Sequence, residues 1–172
     1  DQVVSDAHWD EFMPCDASAR DVYDEACARQ IVDLYGEQLL RRDLSESEIN
    51  DWVAVTDAAH KKLGDFHEAV GLAVEGMLSS PEYLFIIDSV QGEGGKTLEL
   101  TDYSKAARLS YFLWNTTPDE ELLRAASAGE LDTKKGLTAQ VDRMIASERV
   151  DHGVNAFFED FMHLDGIDTL EK

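Results

Sequence analysis

Three groups of side chains have types and spacings from which chemistry could be built. His152, Glu159 and His163 recur at seven- and eleven-residue offsets, so a helix through them turns all three to nearly one side, as a transition-metal site requires. The same segment carries Val154, Phe157, Phe158, Phe161 and Leu164, an apolar stripe opposite the histidines. A polar face turned to water is the simpler reading, and no metal site is expected there. His60 and His67 flank Gly64-Asp65, where both rings could approach the Asp65 carboxylate; a surface turn accounts for the same residues. Arg41, Arg42 and Arg108 are fixed cations suited to the wall of a redox site or, more simply, to pairing with nearby carboxylates.

The remaining motifs are weaker. Gln91-Gly92-Glu93-Gly94-Gly95 lacks the Lys-Ser/Thr that completes a phosphate loop and reads as a linker. Asp165-Gly166-Ile167-Asp168 lacks the alternating ligands and closing Glu of a calcium loop. There is no G-x-S-x-G elbow and no Cys/His pairing that would make a thiol nucleophile. Trp52 and Trp114 fall on core stripes, whereas Trp9, beside His8, suits a contact role as well as packing. The expectation is therefore no catalytic residue, no metal site and no cofactor.

Composition excludes whole classes of partner. The sequence sets 36 Asp and Glu against 15 Lys and Arg, a net charge of −21, which cannot build the basic stripe that nucleic acid or an anionic lipid surface needs. The acidity reads as adaptation to a salty setting, where ions screen self-repulsion. The alternative is a surface that docks a basic partner or collects divalent cations. With 44% hydrophobic and 30% charged residues, the 172-residue chain has the balance of a globular protein, long enough for one domain or two small helical units sharing a core. No apolar run approaches the ~20 residues that cross a bilayer, so membrane insertion is not expected. Tyr83-Leu84-Phe85-Ile86-Ile87 is only a buried turn or short strand. No basic, apolar leader is present, so an export signal would have been removed.

Cys15 and Cys27 stand twelve positions apart without C-x-x-C or C-x-x-C-H, which removes a zinc ribbon and covalently attached haem. Cys15 follows a proline in an irregular arm and Cys27 lies one turn into a helix. A disulfide between them would staple the arm and contribute ~3 kcal/mol. It is preferred here to two free thiols, and it implies an oxidising compartment, periplasmic or extracellular.

The elements that must position these residues are helical. Residues 1–20 read as an N-terminal arm, 21–90 as a first helical module, 91–97 as a glycine-rich linker and 98–172 as a second helical module. The first helix spans about Asp21 to Leu40, with Ala28, Ile31, Val32, Tyr35 and Leu39 on its inner face. Ser45 and Glu48 form a capping box for the second, which ends at Gly64. The third starts after Asp65 and stops near Ser79-Ser80-Pro81; Gly71 and Gly76 within it allow close helix contact. Leu98-Glu99-Leu100 alternates like a short strand. The helix over Asp102–Trp114 is apolar on two sides, Tyr103, Ala106 and Leu113 on one, Leu109 and Phe112 on the other, which places it centrally and favours a core shared by the two halves. Thr117-Pro118-Asp119-Glu120 reads as a second capping box with Pro118 at the first helical position. A sixth helix presents Leu137, Val141, Met144 and Ile145, and a seventh runs from about Glu148 to Leu164. The fold class is all-α, about seven helices in two packed helical subdomains with an irregular, disulfide-stapled N-terminal arm.

Two stretches of motif carry a resemblance. Pro14-Cys15-Asp16, Cys27-Ala28, Tyr35-Gly36, Leu40 to Ser45 with Glu48, and Met77 to Phe85 resemble the domain of unknown function 1595 family of bacterial secreted proteins. Ala107 to Asn115, Pro118 to Leu122 and Ala128-Gly129-Glu130-Leu131 resemble the domain of unknown function 1592 family, and this is the more specific match. The first pattern usually has a basic pair at Glu37-Gln38 and a proline at Asp43, and the second a tryptophan at Phe161; these departures weigh against an anion-binding role. The resemblance implies a piece of a longer exported bacterial protein, whose modules are sometimes joined to c-type cytochrome or carbohydrate-binding domains, and it brings no catalytic residues. The chain accordingly reads as a non-catalytic helical scaffold or interaction module. Its partners would be other domains of the same parent protein or a separate protein. The rival reading is part of a periplasmic or extracellular oxidoreductase or electron-transfer protein associated with c-type cytochrome domains, with polysaccharide breakdown as a setting for it.

Overall fold

Asp24, not Asp21, opens the first helix: its side chain accepts from the Cys27 amide at 2.9 Å, which satisfies one of the otherwise unbonded first-turn donors. In the computed structural model, residues 13–15, 19–91 and 98–163 are described. Among them are eight α-helices and one two-stranded hairpin, divided into two units between Phe85 and Ile86. The described chain is thus all-α in class, one helix richer than the periodicity predicts.

The first unit contains α1 (Glu25–Leu40), α2 (Glu46–Leu63), α3 (Phe66–Leu78) and α4 (Pro81–Leu84). The capping box at α2 forms as expected: Ser45 Oγ accepts from the Glu48 amide at 3.3 Å and Glu48 accepts from the Ser45 amide at 2.8 Å. Gly64, at φ 70°, ends that helix in the left-handed region open to a residue without Cβ. α4 is the extra helix. Tyr83 and Leu84 belong to it, capped by Ser80 with Pro81 at its first position, and neither is buried, which corrects the expected buried turn or strand. Cys27, Ala28, Ile31, Phe66 and Val70 make one buried cluster with Met13 and Cys15 against it; Val32, Leu40, Ile49, Val53 and Met77 make another, against which Trp52 packs. The Cys15–Cys27 disulfide is present, with Cα atoms 5.6 Å apart, so the described part of the arm is tied to the α1 core. Gly76 is one of the expected close contacts: a Cβ there would lie 2.9 Å from the Trp52 ring.

The second unit opens with β1 (Val90–Gln91) paired antiparallel to β2 (Glu99–Leu100), so the expected extended stretch near Leu98 is a strand. Residues 92–97 between them lie outside the described set. α5 (Asp102–Trp114), α6 (Glu120–Ser127), a 3-10 turn (Glu130–Asp132), α7 (Lys134–Ile145) and α8 (Val150–Met162) follow. Ala106, Trp114, Leu122, Ala125, Leu131 and Met144 form the core, and Trp114 Nε1 donates to the Met144 carbonyl at 2.9 Å.

Three expectations fail in this unit. The cap of α6 is Asp119, not Thr117. Asp119 accepts from the Leu122 amide at 3.0 Å while taking Arg143 at 2.7 and 2.9 Å, so a charged cap with a partner displaces the neutral one. Phe112, assigned to a covered side of α5, is 80% exposed. On α8 the predicted core stripe is reversed: Val154, Phe157, Phe158 and Phe161 are exposed and the buried residue is Gly153. A Cβ on Gly153 would lie 2.2 Å from the Leu113 carbonyl oxygen. α8 therefore meets α5 at Gly153, and the rings of Phe157, Phe158 and Phe161 stand exposed beside that contact.

Candidate functional site

Each residue singled out for chemistry has a definite place. His152 and Glu159 are exposed on α8, while His163 leaves the helix as its left-handed cap at φ 54°. No group of three or more His, Cys, Asp or Glu able to hold a metal occurs among the described residues. His67 departs from the surface-turn expectation: it is 7% exposed, in the first turn of α3. Asp65 serves the α3 cap and an ion pair with Arg20 at 2.7 Å. Burial pushes its carboxyl up, but the Arg20 bond and the helix amides hold it below its ordinary value. The His60 ring lies 5.7 Å from that of Tyr23. The Tyr23 hydroxyl is pushed up to about 12 by burial and by Asp57, Glu25 and Asp24.

The three arginines are bound into the frame. Arg41, 5% exposed, donates to the carbonyls of Leu39 and Tyr83 at 3.3 Å, of Phe85 at 2.9 Å, and of Glu82. It thereby satisfies carbonyls that a four-residue helix cannot bond internally. Arg42 bridges Glu48 at 2.6 Å and Glu82 at 2.8 Å, and Arg108 holds Asp88 at 2.9 Å. The carboxylate pairing expected of these two is present. Trp9 and the Asp165–Asp168 stretch lie outside the described residues.

A site that periodicity did not reveal lies between α5 and α8. Phe112 and Leu113 from α5 face Val154, Phe157 and Phe158 from α8 across an open groove of about 720 Å³. Phe157 stacks on Phe161 with centroids 5.8 Å apart and planes 8° apart, and meets Phe158 edge-on at 5.4 Å. These rings hold one another in place while Phe157 and Phe161 remain 60% and 69% exposed. The groove's floor is set by the Gly153 contact, so its walls are two helices in fixed apposition. The one local signal of it was a glycine in mid-helix, a position that weakens a helix unless something needs the space.

Chemically the groove offers apolar area, with Tyr111, Asn115 and Asp160 as its lining residues that carry polar side-chain groups. That arrangement suits binding of an apolar surface and contains no nucleophile beside a base. Comparison with known families places residues 27–88 in a family described as protein of unknown function (DUF1595) and residues 100–172 in one described as protein of unknown function (DUF1592). The two matches follow in that order along the chain, and the groove falls within the second matched segment. No curated protein and no solved structure matches the chain.

Proposed function

We propose that this tandem of two families of unknown function is a non-catalytic interaction module of a larger exported bacterial protein, and that the groove between α5 and α8 is its working surface. The observation that carries this reading is the set of exposed rings lining the groove, Phe112, Phe157 and Phe158, with Phe161 stacked on Phe157 beside it. Isolated apolar side chains on a surface are ordinary, but a contiguous patch lining a concavity is the mark of a contact site. The Cys15–Cys27 disulfide supports an oxidising compartment, the periplasm or the outside of the cell. No described helix is long and apolar enough to cross a membrane.

The test is binding of a hydrophobic fluorescent dye to the whole chain at neutral pH, with near-ultraviolet circular dichroism as the check on packing. The native chain should enhance dye fluorescence, and the Phe112→Ser/Phe157→Ser double variant should lose most of the enhancement. Because both rings are exposed, the variant should melt within about 3 °C of the parent. A large drop in melting temperature would mean that the rings are core, and the docking role would fall.

A further inference from the structure

The docking reading leaves the occupant open, and the charge around the groove narrows it. We infer that the groove receives a basic amphipathic helix of a protein partner, with apolar anchors on one face and Lys or Arg on its flanks. This rests on the groove being a docking surface.

Three observations carry it. The first is shape: two helices with apolar side chains between them present the trough into which a third helix lays anchors at i, i+3, i+4 and i+7. Phe112 and Phe157, on opposite walls, would take successive anchors. The second is the sign of the rim. Asp160 lines the groove, and Asp151 and Glu159 are exposed on the same helix. Arg108 and Arg143 are paired with Asp88 and Asp119, and Arg149 lies 5.1 Å above the Trp114 ring. The third is the whole molecule, whose net charge of −21 draws cationic partners and repels a second copy of itself. Nucleic acid and anionic membranes are disfavoured by the same sign. An apolar trough lined by Asp160, in a protein of net charge −21, matches a helix that is greasy on one face and basic at its borders.

Isothermal titration of the full chain with designed peptides tests this. The probe is a helix of about 18 residues, five turns, with Leu at i, i+3, i+4 and i+7 spacing and Lys at most other positions. A scrambled Leu/Lys peptide keeps the charge without the apolar face, and a Leu/Glu peptide keeps the face with reversed charge. The Leu/Lys helix should bind at least about tenfold tighter than either control, and weaken severalfold as salt rises from low to molar concentration. Phe112→Ser/Phe157→Ser should cost about tenfold, and Asp151→Asn/Glu159→Gln/Asp160→Asn, which touches no packed side chain, about threefold.

Equal binding of the scrambled peptide would reduce the effect to bulk attraction and overturn the inference. Equal binding of the Leu/Glu helix, lost on Phe112→Ser/Phe157→Ser, would overturn the basic partner while leaving the groove as a docking surface. Binding indifferent to the phenylalanine variant would overturn both. A phenylalanine-dependent dimer in sedimentation, with no peptide bound, would assign the groove to a second copy and overturn the basic helix.

Discussion

The two units solve the same packing problem with opposite uses of glycine. In the first, Gly36 and Gly76 make room for side chains: a Cβ would meet Leu44 Cδ2 at 2.8 Å and Trp52 Cζ3 at 2.9 Å. In the second, Gly136 and Gly153 make room for main chain, with the Glu130 and Leu113 carbonyl oxygens at 2.3 and 2.2 Å. A side chain can swing aside, whereas a carbonyl inside a helix can move only with the helix. The first unit is pinned by a disulfide and by the hydrogen bonds of buried Arg41. The second is fixed through backbone approach and leaves a row of phenylalanines uncovered. A surface left open beside a rigid contact is a surface available for use.

Removing the pin tests the closed unit first. Cys15→Ala/Cys27→Ala should cost about 3 kcal/mol by the loop-entropy account, measured by urea denaturation. Hydrogen exchange should show the loss in α1 and α3, with α7 protected as before. Equal loss in both units would break the contrast between a pinned half and an unpinned one.

The glycine comparison comes next. Gly153→Ala should cost roughly 2–3 kcal/mol or lift α8 from α5, because the new methyl meets a carbonyl that cannot yield. Gly76→Ala should stay within about 1 kcal/mol of the parent, since relief of helix entropy offsets a small Trp52 adjustment. Hydrogen exchange across α8 separates the outcomes, and a Gly153→Ala chain as stable as the Gly76→Ala chain would erase the distinction. Arg41→Lys should follow at about 1–2 kcal/mol, because an ammonium cannot reproduce the planar fork that reaches several carbonyls around α4.

The difference between the units also marks where sequence reasoning ended. Ser45 with Glu48, Gly64 after Leu63, and the Cys15–Cys27 spacing are local signals, and the structure contains what they announce. α4 was missed because four residues are too few for periodicity, although Ser80-Pro81 is a helix start by its own chemistry. At Thr117 the capping pattern was real but Asp119 won, since burial pushes its carboxyl up while Arg143, 24 residues away, and the Leu122 amide more than compensate and hold it below its ordinary value. From sequence alone the phenylalanines of α8 read as core, because an apolar stripe has the same period whether or not anything lies over it. Only the Leu113 carbonyl against Gly153 decides which face turns inward, and that contact spans 40 residues of chain.

The smallest effect concerns charge. Glu48 is held down to about 2 from an ordinary 4.5, first by the Arg42 hydrogen bonds and then by those of Ser45, with burial opposing. A carboxyl depressed in the folded state adds stability that is fully present above its unfolded value and is lost as protons arrive. The loss should therefore run from about pH 4.5 down to about 2. The Glu48 side chain is 38% exposed, so solvent screening reduces the contribution to about 1 kcal/mol, well below what the shift alone would give. Glu48→Gln keeps an acceptor for the Ser45 amide, as a capping box allows, and removes only the charge facing Arg42. At pH 7 it should be about 1 kcal/mol less stable than the parent, with the gap closing as pH falls to 2 and narrowing in molar salt. A gap that persisted unchanged at pH 2 would mean that Glu48 contributes through shape and not charge, and the ion-pair bridge between α2 and α4 would lose its place among the devices that close the first unit.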